Sequence, residues 1–223
     1  TRSKRRFEAI PVLVYYDCID GCKPVKGSRT HNDPDIKKRD FFHNYDLKKI
    51  NDIEEKEIPY WYPKIDMIRG QETKRNAKIS GNDWYSVSDL FSKRNLWAIS
   101  LIIAKIKETS EANDALLFLI TSLIYKASKM MGHNSDGIGR IQKGTYYVPP
   151  NQHIINVWNF MVDSLSDFMR GYEEINKITN NALIVSTQSA TNLGDVSDIS
   201  IDYIFTDPPY SGTVQYGELN FLW

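Results

Sequence analysis

Apolar residues in the middle of the chain recur with a helical period. Directly after a capping-box pattern at residues 86–89, roughly helical spacing is shown by Leu90, Phe91, Leu96, Trp97, Leu101, Ile102 and Ile106. This spacing predicts a helix of about 20 residues that ends near Glu108. Two further helices are predicted over residues 111–131, which are apolar on most faces, and over residues 151–170. The stripe expected to be buried in the last helix consists of Ile154, Trp158, Met161, Val162, Leu165 and Met169.

Shorter runs have the composition of strands, because they are rich in β-branched and aromatic residues. These runs are Ile10–Tyr16, Leu183–Ser189 and Tyr203–Thr206, and the third is expected to be buried. Residues 23–57 are charged and show no clear period, which predicts a loop or an insertion.

The third run leads directly into Asp207-Pro208-Pro209-Tyr210. Two consecutive prolines fix φ and supply no N–H, so they end a strand and leave the carbonyl groups before them free of a strand ladder. A carboxylate, a rim of carbonyl acceptors and an aromatic ring are the parts needed to hold an exocyclic amino group and to stack its base. The motif therefore indicates an amino-group methyltransferase site. The alternative is a turn after a strand, with an incidental tyrosine.

The sequence around this motif extends the pattern. The stretch SATNLGDVSDISIDYIFTDPPYSGTVQYGELNFLW, which starts at Ser189, resembles the large prokaryotic DNA methylases of the N6-adenine/N4-cytosine amino-methyltransferase superfamily. The upstream pieces IPYWYPKIDM, VSDLFSKRNLWAI and GTYYVPPNQHIINVW are similar to the same family, so the resemblance is discontinuous from about Ile58 onward. It implies an α/β fold, part of a Rossmann-like S-adenosylmethionine-dependent methyltransferase fold, with a largely helical N-terminal or inserted region.

The resemblance also implies a division into three parts. Residues 1–57 would hold an N-terminal strand and a charged segment, residues 58–180 a mainly helical region, and residues 181–223 the start of the catalytic domain with the Asp-Pro-Pro-Tyr motif. The activity implied is transfer of a methyl group from S-adenosyl-L-methionine to an exocyclic amino group of DNA, with adenine N6 favoured over cytosine N4, as in restriction-modification systems.

The resemblance implies a role for each residue of the Asp-Pro-Pro-Tyr motif. Asp207 and the carbonyl group of Pro208 would each accept one amino hydrogen, and Tyr210 would stack on the flipped base. Pro209 completes the catalytic motif, and Thr206 joins Asp207 in contacting the cofactor. The residues expected to line the substrate site after the motif are Tyr216, Glu218 and Asn220.

A glycine-rich turn for the cofactor is expected in this superfamily. The one candidate, Gly132–Gly139, follows a predicted helix and not a strand, so it is predicted to be a loop between helices. In one permuted group of DNA amino-methyltransferases the glycine-rich turn follows the Pro-Pro-Tyr motif. We therefore expect the chain to be a fragment that is inactive alone. The rest of the same polypeptide, or partner subunits of a defence system, would complete the cofactor pocket.

Charge is unevenly distributed although the net charge is zero. Residues 1–150 carry 26 Lys/Arg and 19 Asp/Glu, whereas residues 151–223 carry 2 and 9. The densest basic stretches are Thr1–Arg6 and Arg69–Lys78, which suit contacts to nucleic-acid phosphates or an ordinary solvated surface. The longest apolar stretch, Ala115–Tyr125, is too short to cross a bilayer, so we expect a cytoplasmic protein that does not enter the membrane.

Cys18 and Cys22 are the two cysteines. A C-x3-C turn can supply half of a tetrahedral zinc site, with His31 and His43 following it. The alternative is a pair of reduced thiols, which is the usual state in the cytosol. The methyl transfer itself needs no metal.

Two other functional classes remain open. An RNA base amino-methyltransferase would be favoured by a glycine-rich turn that contacts the cofactor upstream of the motif. A non-catalytic nucleic-acid-binding module would be favoured by a buried Asp207 together with a zinc site.

Overall fold

Helices make up most of the regular structure. The structure is a computed structural model. It describes residues 10–17, 26–68, 70, 71, 73, 74, 86–109, 113–133, 139–141, 146–177, 187, 189–194, 196–208 and 216–222. In chain order the elements are β1 (Leu13–Asp17), β2 (Lys26–Thr30), α1 (Ile36–Phe41), a π-helical segment (Phe42–Leu47), α2 (Lys48–Glu55), a 3₁₀ turn (Val87–Leu90), α3 (Lys93–Glu108), α4 (Asn113–Ala127), α5 (Val157–Lys177) and α6 (Tyr216–Leu219).

The sheet found among the described residues has two antiparallel strands, β1 and β2, with Leu13 opposite Thr30 and Asp17 opposite Lys26. The strand predicted near the N-terminus is confirmed, although it begins at Leu13 and not at Ile10. A two-stranded sheet of this kind neither confirms nor excludes the Rossmann-like fold implied by the resemblance.

Of the loop or insertion predicted over residues 23–57, the loop is wrong, because the described residues 26–57 hold β2, α1, the π-helical segment and α2, whereas an insertion stays a prediction. Asp35 caps α1 by accepting hydrogen bonds from the backbone N–H groups of residues 37 and 38. Arg29 reaches from β2 to Asp46, with 2.9 Å between Nε and Oδ2. Phe42 is fully buried. The few apolar positions are separated by charged ones, which hid the helical period.

The long helix predicted from the capping box is two elements. The backbone N–H of Ser86 donates to Oδ2 of Asp89 across 2.9 Å, so the capping box begins the 3₁₀ turn. Phe91 is then extended, and Ser92 caps α3 by accepting from the backbone N–H of Asn95. The helix predicted over residues 111–131 is confirmed. It is α4, which covers Asn113–Ala127.

The core lies between α3, α4 and α5, with α4 in contact with both of the others. Asn95, near the start of α3, donates from Nδ2 to the backbone carbonyl oxygen of Ala127 at the end of α4 across 2.8 Å, which satisfies a buried amide and joins the two ends. The best-buried members of this core are Leu90, Leu123, Ala127, Tyr146, Met130 and Val148.

The third predicted helix is shifted and rotated from its expected position. Oδ1 of Asn156 accepts from the backbone N–H groups of residues 158 and 159, which starts α5 at Val157 and leaves Ile154 before the helix. Trp158 is 65% exposed, Met169 48% and Val162 47%, so the predicted buried stripe is wrong in part. The residues of α5 that pack in or against the core include Val157, Phe160 and Met161, and Phe168 contacts Phe118 of α4.

Candidate functional site

The segment that leads to the Asp-Pro-Pro-Tyr motif is extended and exposed. Tyr203 is 80% exposed, Ile204 72% and Phe205 80%, and residues 203–208 lie in neither a helix nor a strand. The prediction of a buried strand at Tyr203–Thr206 is therefore wrong. A strand needs a neighbour for its backbone hydrogen bonds, and no described strand lies beside this segment.

The described residues of the motif are open to solvent. Thr206, Asp207 and Pro208 are all exposed. The exposure of Asp207 leaves its side chain open to a ligand. Pro209 and Tyr210 lie outside the described residues, and their catalytic and stacking roles stay predictions. The strand predicted at Leu183–Ser189 also falls largely outside the described residues.

The segment after the motif is anchored in the helical body. Glu218, in α6, is only 6% exposed. Its Oε1 accepts a hydrogen bond from the backbone N–H of Thr73, in a helical turn where the N–H of Lys74 donates to the carbonyl oxygen of Gly70 across 3.2 Å. Because free N–H groups lie at the start of a helical turn, a carboxylate is well placed there.

Gly70 lets the carboxylate come this close. A Cβ built at position 70 would collide with Cδ and Oε2 of Glu218. A side chain larger than hydrogen at this position must therefore displace Glu218 or the turn. The absence of a side chain at position 70 is thus a requirement of the anchor.

Tyr146 provides a second anchor. Its hydroxyl group donates to the backbone carbonyl oxygen of Glu218 across 2.9 Å, and its side chain is fully buried. Burial raises the pKa of Tyr146 to about 12, so the hydroxyl group stays a proton donor at physiological pH. Leu222 packs into the core just after α6. These contacts fix the segment after the motif against the helical body.

The three residues predicted to line the substrate site thus differ in their exposure to solvent. Asn220 is exposed and Tyr216 is 40% exposed, whereas the carboxylate of Glu218 faces inward to Thr73. Tyr216 and Asn220 are joined within one turn by a backbone hydrogen bond of 2.9 Å. Substrate contact by these residues stays a prediction.

Sequence reasoning missed Tyr146, Thr73 and Gly70 as partners of Glu218. Tyr146 lies in GTYYVPPNQHIINVW, one of the pieces on which the expected resemblance to the methylases rests, and this was the available signal. Thr73 and Gly70 lie in a stretch whose distinctive feature in the sequence is its basic residues. No local pattern reveals a contact that spans 145 residues, as the bond between Thr73 and Glu218 does.

The glycine-rich stretch follows α4 and precedes α5, as predicted. The backbone N–H of Gly132 donates to the carbonyl oxygen of Arg140 across 3.0 Å. A Cβ at Gly139 would collide with the carbonyl oxygen of Gly132 and approach the side chain of Met131. Close approach of two backbone segments therefore accounts for both glycines. Residues 134–138 of the stretch lie outside the described residues.

Only some of the candidate zinc ligands lie within the described residues. Cys18 and Cys22 lie outside the described residues, and His31 and His43 are exposed. Within the described ranges, no cluster of three or more His, Cys, Asp or Glu side chains is arranged to hold a metal ion. Of the two basic stretches, Thr1–Arg6 lies outside the described residues, and of Arg69–Lys78 the structure describes residues 70, 71, 73 and 74.

Comparison of the chain with protein-family models, with curated proteins and with solved structures found no match. In the part of the chain that the structure describes, no helix combines the length and the apolar character needed to cross a membrane.

Proposed function

We propose that this chain carries the catalytic motif of an S-adenosyl-L-methionine-dependent DNA methyltransferase that acts on an exocyclic amino group, with adenine N6 as the favoured target. The observation that carries the proposal is the Asp207-Pro208-Pro209-Tyr210 sequence, whose described residues are exposed on an extended segment. The anchored α6 that follows supports it, because a catalytic loop must be held from a rigid element to position its groups.

The motif fits the chemistry of the amino group. The lone pair on the amino nitrogen of adenine is delocalised into the ring, which makes the nitrogen a poor nucleophile. The Asp207 carboxylate and the Pro208 carbonyl group each accept one amino hydrogen, which favours a pyramidal nitrogen with its lone pair free. Tyr210 holds the flipped base by stacking on it. The role of these residues is to bind and orient the base.

The chemistry of S-adenosyl-L-methionine fits this segment. S-adenosyl-L-methionine supplies a methyl group on a positively charged sulfonium, and the exposed carboxylate of Asp207 beside the Thr206 hydroxyl group suits a cation. The backbone N–H of Gly132 already donates to Arg140. That N–H is therefore not available to a cofactor, and residues 134–138 of the stretch lie outside the described residues.

The same observations bear on the other two classes. A non-catalytic module would be favoured by a buried Asp207, but this residue is exposed. An RNA methyltransferase would be favoured by a glycine-rich turn that offers its N–H groups upstream of the motif, but the N–H of Gly132 is engaged.

The experiment is methyl transfer by the full polypeptide encoded by the gene. Tritium from S-adenosyl-L-methionine is followed into unmethylated duplex DNA and into RNA of the same sequence, and the labelled nucleoside is identified by chromatography. The proposal predicts label in N6-methyladenine of DNA. Label in N4-methylcytosine would support the proposed reaction but identify cytosine as the target base. Label confined to RNA, or no label in either substrate, would contradict the proposal.

A further inference from the structure

An open cleft lies in the segment that connects α4 to α5, in a part of the molecule that the methyl-transfer proposal does not use. Its volume is about 460 Å³. This is within the range of ordinary small-molecule sites. The residues that determine its chemistry are His133, Arg140, Ile141, Tyr147, Pro149 and Asn151. We call it the Arg140 cleft.

Backbone hydrogen bonds hold the walls of the cleft in place. The N–H of His133 donates to the carbonyl oxygen of Asn151 across 2.9 Å, and the N–H of His153 donates to that of Met131 across 2.8 Å. On the other side of the same segment, Gly132 is bonded to Arg140 across 3.0 Å. The segment around Gly132 therefore has a backbone partner on each side, which holds this wall of the cleft in place.

The charges and surfaces of the cleft favour one ligand class. Arg140 is exposed and permanently charged, and its guanidinium group offers a fork of N–H donors that matches phosphate geometry. No Asp or Glu is among the described residues that line the cleft. Tyr147 supplies an aromatic face, and Ile141 and Pro149 supply apolar surface. A planar ring joined to a phosphate group meets all of these features.

We propose that the Arg140 cleft binds a nucleotide, with its phosphate group on Arg140 and its base against Tyr147. The nucleotide is either a free mononucleotide or one unit of a nucleic-acid strand, because both offer the same phosphate and ring. This proposal is independent of the methyl-transfer proposal, since it concerns other residues and needs neither DNA methylation nor the methyl donor.

The test is calorimetric titration of the purified protein with AMP and with adenosine. AMP is expected to bind more tightly than adenosine, and Arg140→Ala is expected to weaken AMP binding by about tenfold or more, or roughly 1.4 kcal/mol. The matched control is Arg170→Ala, because Arg170 is an exposed arginine of α5 outside the cleft, paired with Asp167. This control should leave AMP affinity unchanged.

Two results would overturn the proposal: absence of AMP binding by the wild type at millimolar concentration, or equal AMP affinity in the Arg140→Ala and Arg170→Ala variants. A 5′-phosphorylated oligodeoxyadenylate then identifies the source of the nucleotide. Tighter binding than AMP, lost in Arg140→Ala, assigns the cleft to a strand. Binding no tighter than AMP assigns it to a free nucleotide. Because no methylation is measured, failure here leaves the methyl-transfer proposal unaffected.

Discussion

The hydroxyl group of Tyr146 donates a hydrogen bond to the backbone carbonyl oxygen of Glu218 across 2.9 Å, and the two residues are 72 positions apart in the chain. The side-chain carboxylate of the same Glu218 accepts a hydrogen bond from the backbone N–H of Thr73. One residue of α6 therefore joins two distant parts of the helical body. The segment after the Asp-Pro-Pro-Tyr motif gains a fixed position from this junction.

Tyr146→Phe should destabilise the protein. The change removes the donor and leaves the buried carbonyl oxygen of Glu218 without it, which costs about 1–3 kcal/mol in the free energy of unfolding. Urea denaturation measures this cost. The matched control is Tyr172→Phe, because Tyr172 is 52% exposed on α5, and it should change stability by less than about 0.5 kcal/mol. Equal stability of the two variants would contradict the role of the bond.

Gly70→Ala should destabilise the protein in a way that depends on Glu218. The added Cβ collides with the carboxylate, so the cost should fall when Glu218→Ala is already present. Thermal unfolding of the two single variants and the double variant gives the coupling.

Gly171→Ala provides the control for that cycle. A Cβ at this position of α5 meets nothing within 4 Å, so alanine should stabilise the helix by up to about 1 kcal/mol. If Gly70→Ala lowered the stability of the wild type and of the Glu218→Ala variant by the same amount, the collision would be refuted.

His153 should make stability depend on pH. Burial lowers the pKa of His153 from 6.5, and the neighbouring His133, whose ring centroid is 5.8 Å away, lowers it further. The unfolded chain then binds more protons than the folded one just below pH 6.5. The free energy of unfolding should therefore fall as the pH drops through this value, and stop falling below the folded pKa.

The measurement is urea denaturation at a series of pH values from about 7.5 to about 5. His153→Gln should lose less stability over this range than the wild type, because its side chain does not titrate. His31→Gln, at an exposed position, should keep the wild-type slope. A wild-type slope in His153→Gln would show that another group causes the effect.

The existence of the central helices could be predicted from the sequence, because apolar residues recur at roughly helical spacing in α3 and cover most faces of α4. Their bounds could not, since each depends on one side chain. Ser92 and Asn156 cap α3 and α5, although neither stands out from other polar residues nearby. The capping box at residues 86–89 was predicted correctly as a motif, but it begins a 3₁₀ turn.

Burial was the harder property to predict. Tyr203–Phe205 has the composition of a buried strand, yet a strand is buried only where a neighbour covers it. The candidate site shows the same limit. The motif is visible as four consecutive letters, whereas the anchor of Glu218 depends on contacts with Thr73 and Tyr146 that are distant in sequence.

Tyr210 should act through its aromatic face. Tyr210→Phe should retain capture of the flipped base, whereas Tyr210→Ala should weaken it by roughly 1–3 kcal/mol, because stacking needs the ring and not the hydroxyl group. Fluorescence of a base analogue at the target position of the DNA reports the capture. Equal signals from the phenylalanine and alanine variants would mean that the ring does not stack on the base.

Asp207 tests the central proposal most directly. Methyl transfer to DNA is measured for the full polypeptide with Asp207→Ala and, as a control, with Asp202→Ala, since Asp202 is an exposed carboxylate on the same segment. Loss of one of the two acceptors of the amino group should lower the rate by about a hundredfold or more, with DNA binding nearly unchanged. Asp202→Ala should stay within about threefold of the wild type, a difference of less than 1 kcal/mol in the barrier. A rate for Asp207→Ala within that same margin would contradict the assignment of the motif.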